Sequence, residues 1–443
     1  MSIHSEYNLK LRTPEQAAQL VKNGDWIDFA SAAGFPTLCD AAIAQRKDEL
    51  FDIKIRGILI NGPIMTVESD PYREHFTYNS WFCSGYERKL VDRGLCFHHP
   101  MLLRNFAWYY HNLLTVNIAF MCATPMDEEG YFNLSIIAGT ARAVAEKAEI
   151  VVIEVNETLP KIHGSGYERI HISEVDYIVE GPHTPVYMPA SDPTDTDRRI
   201  AENLLPYIVD GSTIQLGIGG VPTALGMMIA ESDICDLGMH TEFLGDAFLK
   251  LYEAGKLTNN KKTIDKGLGV FGFALGSQKL YDWIDDNHNL ASFEIGYVND
   301  PYVLGRLDNF VSINGCLSVD LYGQISAESA KLRHISGTGG QVDFVTGAAL
   351  SKGGKSFICL NSYYFDKAGK KKSRIVPHFE GEIITTPRSH TFYVATEYGA
   401  VNLMGKSTWE RAELLISIAD PEFRDELIAA AEMQKIWRQS NKR

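Results

Sequence analysis

The chain lacks paired cysteines and long apolar runs. Its 443 residues include seven cysteines, an odd number, and none of them belongs to a Cys-x-x-Cys pair. Scattered cysteines are typical of a reduced protein rather than of a disulfide framework. No stretch approaches the roughly 20 apolar residues of a membrane span, and residues 1–8 contain no apolar signal core. We therefore expect a cytoplasmic protein with no membrane partner.

An excess of basic residues is also lacking. Lys and Arg number 42 against 56 Asp and Glu, so the formal net charge at pH 7 is −14. This balance argues against nucleic acid and against anionic membrane surfaces as partners. No metal is expected either, because the spacing of Cys96, His98 and His99 matches no zinc pattern. A local basic groove for a small anionic ligand is still compatible with the composition.

The composition and the local patterns predict an α/β fold with two domains. Hydrophobic residues make up 45% of the chain, and chains beyond roughly 250–300 residues usually divide into domains. Short β-rich runs alternate with helical stretches, which is typical of mostly parallel sheets. Residues 181–193 contain several prolines and form the best linker candidate. We therefore predict an N-terminal domain, residues 1–190, and a C-terminal domain, residues 191–443.

Several elements are predicted from local signals. Thr13, Pro14 and Gln16 are arranged as the cap and first turn of a helix. The predicted strands are residues 26–29, 53–60, 115–120, 150–155 and 213–216. The predicted helices include residues 140–147, 197–208, 224–229 and 407–431, the last interrupted at Asp420 and Pro421.

Two stretches of the chain resemble each other. Residues 23–38 and 210–225 both contain a glycine, a strand, a glycine turn, a proline and the start of a helix in that order. The two patterns differ by a single inserted residue. This likeness suggests two α/β domains of similar build, one duplicated from the other.

Residues 217–222, Gly-Ile-Gly-Gly-Val-Pro, lie between a predicted strand and a predicted helix. Glycines let main-chain N–H groups approach an anion, and the amino end of a helix adds partial positive charge. The turn therefore favours a phosphate-bearing ligand. Two alternatives stay open here. One is a dinucleotide site, although Pro222 stands where its fingerprint has the third glycine. The other is a tight turn that binds nothing.

A second cluster of small residues is Ser-Gly-Thr-Gly-Gly at 336–340. Its main-chain N–H groups are free of large side chains and can hold an anion or stabilise an oxyanion. The alternative is a flexible surface loop. The apolar residues Val342 and Phe344 that follow favour a turn anchored in a core.

Glu242 is the candidate for the reacting group. It follows Met239 and precedes Phe243 and Leu244, and this apolar setting predicts partial burial. A buried carboxylate needs a partner or a chemical role. Two roles fit, a general base or a nucleophile toward an acyl group. His240 would share the face of Glu242 on a strand, and we expect it to be structural.

Five landmarks, taken in order, resemble the acetyl-CoA hydrolase/transferase family, the glutamate-dependent CoA-transferases. They are residues 217–222, 240–242, 314–324, 339–344 and 396–407. The likeness covers almost the whole chain. In the first half, residues 79–89, 125–133 and 154–157 are most similar to members acting on butyryl-CoA and acetate. Members acting on 4-hydroxybutyrate are the nearest alternative.

The resemblance implies both a fold and a reaction. It implies two similar CoA-transferase-type α/β domains with the active site between them, and a homodimer. It implies a ping-pong transfer of coenzyme A between a short-chain acyl-CoA, such as butyryl-CoA, and a free carboxylate, such as acetate. A glutamyl-CoA thioester on Glu242 would be the intermediate. Acyl-CoA and carboxylic acid would be the substrates, and no tightly bound cofactor is implied.

The resemblance also assigns residues. Glu242 would be catalytic, and the expected contacts to coenzyme A are Gly217, Ile218, Gly219, Gly220, Val221, Leu317, Gly339 and Gly340. Residues 31–34 and Asn61 would border the acyl pocket, and Gln215 is a weaker candidate for that pocket. Alanines at positions 32 and 33 replace glycines of the family's turn, which leaves the acyl specificity open.

Two further functions remain open from the sequence. An acyl-CoA hydrolase on the same scaffold would use water in place of the acceptor acid. A non-catalytic module would bind coenzyme A or a nucleotide without forming a covalent bond to Glu242.

Overall fold

Residues 2–438 are described by the structure, a computed structural model. The chain forms two compact units. The first contains the described residues up to Pro189 together with Val270–Val298, and the second contains Ala190–Gly269 and the described residues from Asn299 onward. Val270–Val298 thus groups with the first unit although it lies inside the predicted domain 191–443. The division at residue 190 as a boundary between separate domains stays a prediction.

The first unit begins with an alternation of strands and helices. Its strands up to residue 189 are β1 Leu11–Arg12, β2 Trp26–Phe29, β3 Ile53–Gly57, β4 Phe76–Ser80, β5 Cys96–His98, β6 Ile118–Ala123, β7 Tyr131–Asn133, β8 Ile150–Val155, β9 Arg169–His171 and β10 Tyr177–Val179. Its helices over the same range are α1 Ile3–Lys10, α2 Pro14–Ala18, α3 Thr37–Gln45, α4 Met65–Glu68, α5 Gly85–Asp92, α6 Phe106–Asn112 and α7 Ala138–Lys147.

Eight of these strands form one parallel sheet in the order β1-β10-β8-β6-β2-β3-β4-β5. Every residue of β6 is buried, as expected for a central strand covered on both faces. The predicted capping box of α2 is confirmed, because Thr13 and Gln16 exchange side-chain and main-chain hydrogen bonds. The confirmed helix begins at Pro14, whose fixed φ suits the first helical position.

A buried ion pair joins two central strands of this sheet. Asp28 of β2 lies opposite Arg56 of β3 in the strand register. Both side chains are 2% exposed, and Nη2 of Arg56 lies 2.6 Å from Oδ2 of Asp28. The Tyr110 hydroxyl donates to Oδ1 of Asp28 at 2.5 Å. Since each charge depends on the other for compensation, the loss of one leaves the other buried without a counter-ion.

We expect Asp28→Ala to lower the free energy of unfolding by about 3–5 kcal/mol, because the Arg56 guanidinium would stay buried and uncompensated. Urea unfolding followed by circular dichroism measures the loss. The matched control is Glu49→Ala, which breaks the 3.1 Å pair to Arg46 at a site where Glu49 is 65% exposed. That exposed pair is worth less than about 1 kcal/mol. Equal losses for the two variants would contradict the argument.

The second unit contains the stretch that predicted the glycine turn. From Ala190 to Gly269 this unit contains β11 Thr213–Leu216, β12 Gly238–Leu244, α8 Asp195–Leu204, α9 Gly220–Glu231 and α10 Asp246–Glu253. Over Val270–Val298, which belongs to the first unit, the chain forms α11 Gln278–Ile284, β14 Leu290–Ser292, α12 Ile295–Val298 and β13 Gly269–Ala274, the last beginning one residue earlier. From residue 299 it forms α13 Pro301–Leu304, α14 Gln341–Leu350, α15 Thr408–Ser417 and α16 Arg424–Met433. The strands of that part are β15 Phe310–Gly315, β16 Ser318–Asp320, β17 Ile325–Ser326, β18 Ser329–Ala330, β19 Arg333–His334, β20 Lys355–Cys359, β21 Tyr363–Phe365, β22 Lys371–Ser373, β23 Ile375–Val376, β24 Tyr393–Thr396 and β25 Gly399–Asn402.

The main sheet of this unit has the strand order β12-β11-β15-β20-β24-β25. Its strands are parallel except for the pairing of β24 with β25. Apolar residues of α15 and α16 pack against β20 and β24 in one core cluster with Val345. The carboxyl ends of β11, β12 and β15 therefore share one edge of the sheet, which is where ligands bind in open α/β sheets.

The likeness between residues 23–38 and 210–225 has a topological counterpart. Strand β2 lies between β6 and β3 in its sheet, and β11 lies between β15 and β12 in its own. In each case one neighbour is the next strand along the chain, reached through a helix, α3 or α9. The two units are thus α/β units of the same local build, as predicted.

Most predicted elements are present with small shifts of their bounds. The strand predicted at 115–120 begins at Ile118, and the helix predicted at 197–208 runs from Asp195 to Leu204 before a short 3-10 turn. The helix predicted at 224–229 begins earlier, at Gly220, directly after Gly219, the non-helical cap residue. No helix within residues 2–438 combines the length and the apolar character of a membrane span.

Candidate active site

Glu242 lies near the carboxyl end of β12, beyond the part of the strand that pairs with β11. Pairing between the two strands is recorded at Gly238 and Met239. The residues before Glu242 on the strand are buried, whereas Glu242 itself is half-buried. The side chain therefore stands at the carboxyl edge of the sheet, with its backbone held by a strand. This is the partial burial that the apolar neighbours predicted.

Asn299 is the closest polar neighbour of the Glu242 carboxylate. Its Nδ2 donates to Oε2 of Glu242 at 2.6 Å, and the Asn299 residue is fully buried. A hydrogen bond from a buried amide to a carboxylate both orients the carboxylate and favours its ionised form. Sequence reasoning missed Asn299, because a single asparagine after a short helix carries no motif.

Gly340 meets the same carboxylate from a different part of the chain. Its main-chain N–H forms a hydrogen bond with Glu242. A Cβ atom at position 340 would lie 2.0 Å from Oε2 of Glu242 and 2.3 Å from Nδ2 of Asn299. Only glycine permits this approach. Gly339 before it has φ of +54°, a left-handed conformation that also favours glycine.

The Glu242 carboxylate also lies at the amino end of a helix. Gly340 is the cap residue of α14, which runs from Gln341 to Leu350. The first N–H groups of a helix carry partial positive charge and stabilise an anion. The glycine cluster at 336–340 thus supplies one main-chain donor, the Gly340 N–H, to Glu242.

Burial raises the pKa of Glu242 to about 7. The hydrogen bond from Asn299 lowers this pKa, the negative charge of nearby Asp343 raises it, and the hydrogen bond from Gly340 lowers it again. A carboxylate in this balance is substantially ionised near neutral pH while only partly hydrated. Such a group is a better nucleophile than a carboxylate in bulk water.

We expect the Asn299→Ala variant to shift the pH profile of acylation. For the nucleophilic role predicted for Glu242, the wild-type single-turnover rate with an acyl-CoA should rise with pH to a plateau above about 7, because that role requires the ionised carboxylate. Loss of the Asn299 hydrogen bond removes a contact that favours this form, so the midpoint should move up by about one pH unit. Rapid-quench measurements between pH 5 and pH 9 test this. A lower rate with an unchanged midpoint would contradict the assigned effect.

The glycine turn follows β11 and leads directly into α9. The main-chain N–H of Gly217 donates to the Ile313 carbonyl at 2.9 Å, which ties the turn to β15. Gly219 has φ of +119°, so another residue there would be strained. A Cβ at Gly220 would lie 2.2 Å from Oδ2 of Asp197. Gly219 and Gly220 therefore each have a local structural reason to be glycine.

A cleft of about 230 Å³ opens beside this turn. Of the predicted coenzyme A contacts it brings together Ile218, Gly220, Val221 and Leu317. The remaining lining residues are Asp197, Pro222, Ile313, Asn314, Gly315, Cys316, Cys359, Leu360, Asn361 and Arg374. Ile218 is 54% exposed, so the turn presents an apolar side chain and main-chain groups together.

The cleft and the Glu242 carboxylate are linked through Gln341. Gln341 follows Gly340 in the chain and is the first residue of α14. Its side-chain Nε2 donates to the Gly315 carbonyl at 2.8 Å. Gly315 lines the cleft, whereas Gly340 contacts Glu242. The predicted site residues therefore fall into two adjoining groups, one around the cleft and one around the carboxylate.

The side-chain amide of Gln215 is hydrogen-bonded within the protein. The residue is buried, and its side chain exchanges two hydrogen bonds with Asn314, at 3.1 and 3.3 Å. Asn314 lines the cleft, so Gln215 supports that residue. Contact of Gln215 with an acyl group stays a prediction. His240 is fully buried within β12, consistent with the structural role expected for it.

The predicted acyl-pocket residues lie in the first unit. Ser31 lines a cavity of about 20 Å³ together with aromatic residues such as Phe29 and Trp81. That volume is close to the space of a single water molecule. Asn61 is exposed, and it does not line this cavity. The acyl-binding role of these residues stays a prediction.

Two clusters of potential metal-binding atoms occur among the described residues, and neither includes the Cys96, His98 and His99 group. They are Cys122 with Glu154 and His183, and His163 with Asp286 and His288. Glu154 has a structural role, because it accepts main-chain hydrogen bonds from Leu38 and Cys39 at the start of α3. The absence of a metal centre stays a prediction.

The chain matches the two domains of one protein family. The N-terminal domain of acetyl-CoA hydrolase/transferase matches residues 1–188, and the C-terminal domain of the same family matches residues 276–431. Together these matches cover most of the chain, including the glycine cluster that contacts Glu242.

Individual proteins are similar over the full length. A butyryl-CoA:acetate CoA-transferase of Anaerostipes caccae is 46% identical over all of both chains. A probable butyrate:acetyl-CoA coenzyme A-transferase of Syntrophomonas wolfei is also 46% identical, over 99% of this chain and 98% of its own. The crystal structure of RipA from Yersinia pestis is 32% identical, covers 98% of this chain and 100% of its own, and has a TM-score of 0.91. The chain therefore belongs to the acetyl-CoA hydrolase/transferase family of enzymes.

Proposed function

We propose that this protein transfers coenzyme A between butyryl-CoA and acetate through a covalent glutamyl-CoA thioester on Glu242. The observation that carries the proposal is the contact of the Glu242 carboxylate with both the Asn299 amide and the Gly340 N–H. The full-length identity of 46% to CoA-transferases named for these two substrates supports the choice of acids.

The first half-reaction begins with attack of Oε1 of Glu242 on the thioester carbonyl of butyryl-CoA. The carbon–sulfur bond breaks, and the products are a mixed anhydride and the CoA thiolate. The thiolate then attacks the glutamyl carbonyl carbon, and butyrate leaves with the oxygen that came from Glu242. A glutamyl-CoA thioester remains on the protein. No ATP is needed, because the energy of the thioester is retained.

The second half-reaction reverses these steps with acetate. An acetate oxygen attacks the glutamyl carbonyl, and CoA thiolate leaves as a second mixed anhydride forms. The thiolate attacks the acetyl carbonyl, which produces acetyl-CoA and restores the Glu242 carboxylate. One oxygen of acetate is retained in that carboxylate.

We infer different roles for the two oxygens of Glu242. Oε2 accepts the bond from Asn299 and faces the position of Gly340, so it is the oxygen that becomes the carbonyl of the thioester. Negative charge develops on that oxygen each time the glutamyl carbon is attacked. Asn299 is a preformed donor to that oxygen, and the Gly340 N–H donates to the same carboxylate, so the pair lowers the barrier as in an oxyanion hole. Oε1 is then the nucleophilic oxygen.

Trapping of the thioester tests the mechanism. The protein is incubated with butyryl-CoA, reduced with borohydride, digested and analysed by mass spectrometry. We expect conversion of Glu242 to the corresponding alcohol, with exposed Glu253 on α10 unchanged as an internal control. An unmodified Glu242 in a sample that turns over would refute a covalent intermediate. Activity that continues at the same rate without any acceptor acid would instead indicate a hydrolase.

The family resemblance also leads us to propose a homodimer without a tightly bound cofactor. Light scattering during gel filtration should then report twice the chain mass of 49.4 kDa. A mass of one chain would refute this part of the proposal.

A further inference from the structure

Arg374 is the positively charged side chain that lines the cleft beside the glycine turn. It follows β22, and no Asp or Glu within residues 2–438 forms an ion pair with it. The cation three residues earlier behaves differently, because Lys371 pairs with Asp420 at 2.8 Å and with Glu422 at 3.1 Å. Lys371 is thus neutralised by the protein, whereas Arg374 keeps its charge at the cleft.

Two contacts hold the Arg374 guanidinium in place. Nη1 donates to the main-chain carbonyl of Leu317 at 2.8 Å, and the guanidinium carbon lies 5.0 Å from the centre of the Tyr364 ring. The Leu317 carbonyl and the aromatic ring use only a fraction of the five N–H donors of an arginine. Nε has no acceptor within the described residues although it is buried. The side chain is therefore oriented before any ligand arrives, and its hydrogen-bonding capacity is not exhausted by the protein.

The groups near Arg374 in the cleft favour phosphate as its ligand. The amino end of α9 at Gly220 lines the cleft and contributes partial positive charge. The one carboxylate on the lining, Asp197, accepts two hydrogen bonds from Thr194 at the start of α8. A fixed guanidinium together with a helix amino end is suited to phosphate oxygens.

We propose that Arg374 binds a phosphate group of coenzyme A and so contributes to recognition of the nucleotide end of the acyl-CoA. The inference rests on the proposed function, since it takes CoA as the ligand of the cleft. The pantetheine arm of CoA is uncharged. The charge of CoA resides in the diphosphate and the 3′-phosphate. Either phosphate has the required chemistry.

Binding of truncated ligands tests the assignment. Dissociation constants of CoA, dephospho-CoA and pantetheine are measured by calorimetry for wild type, Arg374→Gln and Arg374→Lys. We expect Arg374→Gln to weaken CoA binding about 30-fold and to leave pantetheine binding unchanged, because charge-assisted bonds to phosphate are strong. Arg374→Lys should retain part of the affinity, since lysine keeps the charge but not the fork of donors. Arg306→Gln removes an exposed charge of the same unit and is the matched control.

Dephospho-CoA identifies the phosphate. If the 30-fold loss persists with this ligand, Arg374 contacts the diphosphate, and if the loss disappears, it contacts the 3′-phosphate. The proposal is overturned if Arg374→Gln binds CoA as well as wild type does, or if it weakens pantetheine by the same factor as CoA. A rise in the KM for acetate with unchanged CoA binding would assign Arg374 to the acid instead, which also overturns it.

Failure of this inference is distinguishable from failure of the proposed mechanism. Free CoA binds without acyl transfer, so the calorimetric comparison does not depend on thioester formation. If borohydride leaves Glu242 unmodified while Arg374→Gln still weakens the binding of CoA but not that of pantetheine, the covalent mechanism is wrong and the phosphate site is retained. Thermal unfolding of each variant shows whether a lost affinity reflects the contact or the fold.

Discussion

Replacement of Glu242 by alanine is expected to lower kcat for CoA transfer by at least about 10⁴-fold, because loss of an enzymatic nucleophile has effects of this size. Neither Asn299 nor Gly340 offers a second nucleophile, since both are donors to the carboxylate. The residual rate should not rise with pH through about 7, because the group responsible for that dependence is gone. Steady-state assays with butyryl-CoA and acetate measure the loss.

Three comparisons make this result specific. Binding of free CoA should stay within about threefold of wild type, because the cleft does not include Glu242 among its lining residues. Glu253→Ala, on the exposed face of α10 in the same unit, should keep full activity. With ¹⁸O-labelled acetate the wild type should acquire label in Glu242. A Glu242→Ala protein that still transfers CoA at a tenth of the wild-type rate would refute the mechanism.

Gly340→Ala is expected to lower kcat by about 10²–10³-fold, the range found when an oxyanion-stabilising donor is lost. The added Cβ would lie 2.0 Å from Oε2 of Glu242 and 2.3 Å from Nδ2 of Asn299. Neither distance is compatible with non-bonded contact, so the carboxylate or the amide must move. Displacement of the reacting group by even 1 Å is costly to a reaction that depends on alignment.

The fold should tolerate the same substitution. Gly340 has φ of −98° and ψ of 9°, a conformation open to alanine. The loss of stability should therefore come from the local clash alone, about 1–3 kcal/mol, so the variant should stay folded while activity falls. Gly85→Ala is the matched control, because Gly85 also stands at the start of a helix and a Cβ there meets no atom within 4 Å. If Gly340→Ala retains wild-type kcat, the close approach of Gly340 to the carboxylate has no catalytic importance.

Local patterns predicted those parts of the fold that depend on neighbouring residues. The capping box at Thr13, the strand at 213–216 and the turn at 217–222 were all accessible, because each depends on residues within a few positions of one another. The residue at which α9 begins was harder to predict from local patterns. Its first turn contains Gly220 and Pro222, which are poor helix formers in isolation and are accepted here because proline fits the start of a helix.

The candidate site was predicted only in pieces. Glu242 was singled out from its apolar neighbours, and residues 336–340 from their small side chains. Their contact joins positions nearly a hundred residues apart, so no local pattern contains it. Asn299 and Arg374 carry no motif at all. Arg374 lies in a basic stretch, and only the ion pairs of Lys371 distinguish the two cations.

The sequence alone predicted an anion-binding turn and a reactive carboxylate, because glycine turns, a carboxylate in apolar surroundings and an acidic composition are properties of residue types and spacing. It also determined the α/β class, since periodicity and capping are local. The tertiary structure decided which donors meet Glu242, which cation faces the cleft, and that residues 270–298 group with the first unit. These depend on strand order and on packing between distant segments, and strand order is set by burial of the whole sheet rather than by any short stretch of chain.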